Sequence, residues 1–248
     1  MTKGIRDLVL FFALAAVPIV SFWLQDYPDT PFYASMLVLC LLVLTWLKSY
    51  HKDTEHQALV DFDENLHIGS LLYIVGGIFG TYITASVIVS AFMPSSLYVP
   101  RHNVDMEWFQ TFQLNGTLND FLFQIVMVSP AEELSKLVVH LALYLKLKDA
   151  MSKGLARVLA ILVPIGFWAI LHIYRNPSYQ GEYMAITLLS AFVGGLVIFF
   201  VMRETKSLLA AILVHAGYNC LIIWVMTNTP QAFAIAVTAF NLLMRSLG

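Results

Sequence analysis

An all-α, polytopic integral membrane bundle of about eight transmembrane helices is the fold this sequence predicts, on three observations. The 248 residues are 59% apolar and only 12% charged, with a mean hydropathy of +0.74, whereas soluble domains carry about 25% charged residues. The apolar residues gather into runs able to cross about 30 Å of hydrocarbon, at 8–24, 32–47, 68–92, 118–145, 155–174, 183–202, 208–226 and 232–244. The cations then sort by side. With the N-terminus inside, Lys3, Arg6, Lys48, Lys52, Lys146, Lys148, Lys153, Arg157, Arg203, Lys206 and Arg245 fall on the cytoplasmic face. Arg101 and Arg175 fall outside and Lys136 within the membrane, which accounts for all 14 and places both termini in the cytoplasm.

Taken in order, the first run follows Lys3 and Arg6 like a signal peptide, but it stays apolar through Trp23 and reads as an anchor. The second and third carry no motif; Gly76 and Gly80 in the third, with Ser190 and Gly194 in the sixth, form small-residue pairs suited to close helix packing. Two polar stretches interrupt the runs. Residues 48–66 read as a cytoplasmic connection, whereas 94–118 bring Trp108, Phe109 and Phe112 beside Asp105 and Glu107, the pattern of an interfacial loop or a lid. Pro164 should kink the fifth run before His172. Cys40 and Cys220 lie in apolar runs and suggest neither a disulfide framework nor a thiolate metal site. The net charge of −2 gives no basis for a nucleic-acid partner. The chain divides into 1–117, helices one to three with the interfacial segment; 118–226, a core of helices four to seven; and 227–248, a C-terminal helix.

Chemistry is concentrated in three clusters on three runs. In the fourth, Glu132, Lys136 and His140 recur every four residues and Glu133 precedes Lys136 by three, so one stripe carries them all. An ionisable group near mid-membrane costs roughly 2.5 to 3.5 kcal/mol, so Glu132, Glu133 and Lys136 together cost on the order of 8 to 10 kcal/mol before pairing. The fifth run has Trp168 and His172, and the seventh His215 and Asn219, each pair four apart. Groups of this kind turn away from lipid and towards one another. Two carboxylates, two imidazoles and an amide can hold a metal such as zinc through His nitrogen and Glu oxygen, with an open position for water. They can equally activate water by a desolvated glutamate, with the imidazoles and amide stabilising an oxyanion. Both routes hydrolyse an acyl bond. Lys136 is expected to pair with one glutamate, and His140, near the cytoplasmic lysines, to be structural. Counted along upright helices, Glu132 lies about 20 Å below the outer boundary, His172 within about 5 Å of it and His215 about 10 Å above the inner one, a spread that opposes convergence.

In residue type and order these clusters resemble the intramembrane protease superfamily of the CAAX prenyl endopeptidases, the bacteriocin-processing and immunity proteins and the PrsW proteases. The likeness rests on the double glutamate Glu132-Glu133, on Trp168 four residues before His172, and on His215 four before Asn219, and spans about 118–226. It implies an intramembrane endopeptidase of a prokaryotic plasma membrane, acting on a membrane-embedded or lipid-anchored peptide or protein. Glu132, Glu133, His172, His215 and Asn219 would be its catalytic group, supported by Lys136 and Trp168, with Glu132, His172 and His215 as the ligands of a zinc ion where the chemistry is metal-based. The chain departs from both branches: Leu137 stands where CAAX relatives have arginine, and Lys136 gives a PrsW-like form. His172, in turn, stands where PrsW relatives have glutamate, and Trp168 where phenylalanine is usual. The alternatives are a silent relative acting as a binding, immunity or scaffold protein, a transporter using the Glu-Lys-His stripe, and a haem protein using His172 and His215.

Overall fold

The computed structural model describes residues 29–50, 68–92, 116–175 and 184–228, and among these every element is helical. The helices are α1 (Thr30–Tyr50), α2 (Ile68–Phe92), α3 (Leu118–Phe123), α4 (Ser129–Leu147), α5 (Lys153–Arg175), α6 (Met184–Thr205) and α7 (Leu208–Asn228), with a wide π turn at Gln124–Val128 joining α3 to α4. Six helical columns thus answer to the second to seventh apolar runs. The first and eighth runs lie outside the described residues, as do most of the two polar stretches and His51, His56, His67 and His102.

Three stretches are long and apolar enough to cross a membrane unaided, Gly69–Ile88, Lys153–His172 and Thr187–Thr205, while Thr30–Thr45 and Leu208–Trp224 are shorter apolar helices. The protein is an integral membrane protein, but the expected eight spans reduce to these among the described residues. The fourth run falls short because its own charges lower its hydropathy, although it sits at the centre of the bundle. There α4 packs against α1, α5 and α7, while α2 lies against α6 and α7, and α6 against α5.

Local sequence explains the ends and joints. Thr117 caps α3: Asp120 N donates to Thr117 Oγ1 at 3.4 Å and Thr117 N to Asp120 Oδ2 at 2.7 Å, a reciprocal capping box. Ser207 caps α7 directly after Lys206, whose φ of 52° reverses the chain where a glycine would be usual. The π turn directly precedes Pro130. In a regular helix a proline ring collides with the carbonyl four residues back; widening the preceding turn relieves that collision, and Ser129 N–H reaches Gln124 O instead. The extra residue also rotates α3. Carried straight through, a helix would leave Gln124 about 80° around from Glu132, and one inserted residue reduces this to about 20°.

Core and lipid faces separate cleanly. Phe123, Met127, Leu134, Leu137, Ile198, Leu208 and Ile223 are almost wholly buried, whereas Leu71, Leu72, Val75, Phe79 and Ile83 expose one side of α2, as a helix facing hydrocarbon must. Close packing uses Gly194 and, to a lesser degree, Gly80 of the expected small residues, and adds Gly77 in place of Gly76. Gly76 meets nothing within 4 Å, while a Cβ at Gly77 would come within 2.9 Å of both Val201 and Val214. Gly76 is exposed, Gly80 faces Val197 of α6 and Gly194 of α6 comes close to Thr81 of α2, while Gly77 marks a junction of α2, α6 and α7.

Candidate active site

The residues that open the site are those whose burial is hardest to justify. Glu132, Glu133 and Lys136 are each less than a tenth exposed, one turn into α4 beyond the π turn. Lys136 Nζ donates to Glu133 Oε1 at 2.5 Å and lies 4.0 Å from the centre of the Trp168 ring, so the ammonium gains an anion and a π face. The i+3 glutamate is its partner. From α7, His215 Nδ1 lies 2.6 Å from the same Glu133 oxygen; a carboxylate only accepts, so Nδ1 carries the proton and the imidazole is fixed in orientation.

Glu132 is held differently, by neutral donors. Trp168 Nε1 donates to Oε2 at 2.6 Å from α5, and the hydroxyl of Tyr33 donates to Oε1 at 3.1 Å from α1. His215 Nε2 faces Oε2 at 3.7 Å, too far for a direct hydrogen bond and close enough for one bridging molecule. His172 Nδ1 donates to the Trp168 carbonyl at 3.0 Å, which leaves its Nε2 as the acceptor, and its ring meets Trp168 edge-on at 4.2 Å. Trp168 also lies 5.6 Å from the His215 ring. The glutamates, Lys136, Trp168, His172 and His215 therefore converge. The depth count that argued against this treated each apolar run as an upright rod beginning at its hydropathy edge, and the contacts do not respect those edges.

Asn219 stands one turn beyond His215, half-buried, and donates Nδ2–H to Gln124 Oε1 at 2.9 Å. Its partner is thus an amide on the π turn. His140 belongs elsewhere: its Nδ1 bonds the carbonyl of Ala160 at 2.9 Å and its ring packs on Phe199. That carbonyl is the one deprived of its donor by Pro164, four residues on, so His140 satisfies a buried acceptor that the proline leaves orphaned. Between the two lies a cavity of about 10 Å³, lined by Glu133, Lys136, His140, Pro164 and Phe199 among others, room for about one water.

Residues 114–221 match a family model, Type II CAAX prenyl endopeptidase Rce1-like. The match covers the three clusters and ends two residues after Asn219. No curated protein and no solved structure matches the chain.

As a metal site the constellation fits poorly. Among the described residues no three His, Cys, Asp or Glu side chains are placed to share an ion. Glu132 Oε2 already receives an indole N–H, and His215 Nε2 at 3.7 Å from it would have to close in for zinc bonds of about 2.0 to 2.2 Å. Two participants carried no signal that the sequence reading used. Tyr33 is an aromatic in an apolar run, indistinguishable there from a lipid-facing tyrosine. Gln124 was more legible, since an amide inside a span obeys the same logic as Asn219.

Proposed function

We propose that the protein is an intramembrane endopeptidase that hydrolyses peptide bonds by glutamate-activated water. The observation that carries this is the Glu132 carboxylate, held inside the bundle by Trp168 and Tyr33 with Nε2 of His215 3.7 Å away. A water bonded to both takes its place between a base and a second acceptor. Glu132 removes its proton as the oxygen attacks the peptide carbonyl; the second N–H of Asn219 Nδ2, beyond the one given to Gln124, is available to the developing oxyanion. Collapse breaks the C–N bond, and Glu132 returns the proton to the leaving amine. Glu133 orients His215 and Lys136 balances Glu133, so neither needs to touch substrate.

The family match favours the CAAX-type branch, and with it a lipidated C-terminal segment as substrate class; the PrsW likeness rests on Lys136 alone. In purified protein, Glu132→Gln should lower cleavage of a lipidated peptide at least about 100-fold with an unchanged thermal midpoint. Undiminished cleavage would sink the assignment. A wild-type protein that binds such peptides without cleaving them would point instead to a silent binding or immunity protein.

A further inference from the structure

We infer that Tyr33 is a positioning residue for Glu132, which makes α1 part of the catalytic unit; the inference rests on the hydrolytic reading above. The terminal torsion of a glutamate is broad and roughly two-fold, so burial alone does not choose the plane of its carboxylate. Two donors on opposite oxygens do. Trp168 holds Oε2 from α5 and Tyr33 holds Oε1 from α1, two helices that flank α4. The lone pairs left over then point in fixed directions, one of them towards His215.

The placement of Tyr33 is itself rigid. It lies in the first turn of α1, its backbone N–H bonded to Asp29 O at 3.1 Å, it is 3% exposed, and its ring meets Phe123 edge-on at 5.8 Å. Phe123 immediately precedes the π turn, so the same segment that delivers Gln124 to Asn219 buttresses Tyr33. In an apolar run a phenylalanine would fill this space as well. The hydroxyl is the only added feature, and burying it is costly unless bonded; the structure directs it to Glu132. Tyr33 lies 81 residues ahead of the matched segment, which begins at residue 114, so no motif within that segment reports it.

Tyr33→Phe keeps the ring and removes only the donor. In full-length protein kcat should fall about 10- to 100-fold with KM unchanged, and the thermal midpoint should drop only by the loss of one hydrogen bond to a charged group. In protein labelled with carbon-isotope glutamate, the infrared carboxylate band identified by its loss in Glu132→Gln should shift. A wild-type kcat in Tyr33→Phe while Glu132→Gln is inactive overturns the role of Tyr33 and leaves the hydrolytic reading standing. An unmoved band with a lowered thermal midpoint assigns Tyr33 to packing and equally overturns it. The band does not depend on turnover, so it judges the hold on Glu132 even where an active Glu132→Gln overturns the hydrolytic reading.

Discussion

Glu133 accepts from both Lys136 and His215 through one oxygen, so its charge is met by an ammonium from its own helix and an imidazole from another. Removing one partner of a buried pair leaves a charge in low dielectric, at a cost of about 3 to 5 kcal/mol. Lys136→Ala should lose stability on that order, measured by denaturant unfolding in detergent micelles. Spacing identified Lys136 as a pairing residue because three charges in one apolar run demand it. It could not choose between the glutamates, since both the i+3 and i+4 positions lie on the same helical face; Glu132 is taken up by donors from two other helices, Trp168 and Tyr33. Tyr33 was illegible for a related reason: energetic anomaly is the signal in lipid, and a satisfied tyrosine is no anomaly.

At the scale of the element, both prolines act by what they take from a neighbouring turn. Pro164 was visible as a missing backbone donor, but what it deprives, the Ala160 carbonyl, and what replaces it, His140 from α4, require the pairing of two helices. His140→Phe keeps the aromatic contact with Phe199 and should cost about 1 to 3 kcal/mol by orphaning that carbonyl. In a Pro164→Ala background the restored backbone N–H should remove most of that penalty, and a double-mutant cycle on unfolding free energies reads the coupling directly. Pro130 gave the same kind of hint unread. Its ring disfavours a regular turn before it, and the π turn found there is what carries Gln124 round to Asn219.

For the whole molecule, the helical class, the membrane setting and the three converging helices followed from hydropathy and charge, because in hydrocarbon both are dominated by large transfer energies. Depth and close packing did not follow, since they depend on which faces meet. Gly77→Ala should therefore destabilise the α2–α6–α7 junction by about 1 to 3 kcal/mol, pressing on two stiff valines, while Gly76→Ala should be neutral within about 0.5 kcal/mol; thermal unfolding of the two variants separates them. The burial of α4 has one more consequence, for biosynthesis. The helix at the middle of the fold is absent from those apolar enough to cross alone, and its three buried charges make lipid a costly place for it when it emerges from the ribosome unaccompanied. Relief comes with α5, whose Trp168 donates to Glu132 and lies under the Lys136 ammonium. A chain cut after residue 150 and fused to a topology reporter should leave that reporter on the wrong side of the membrane, and extension through α5 should correct it.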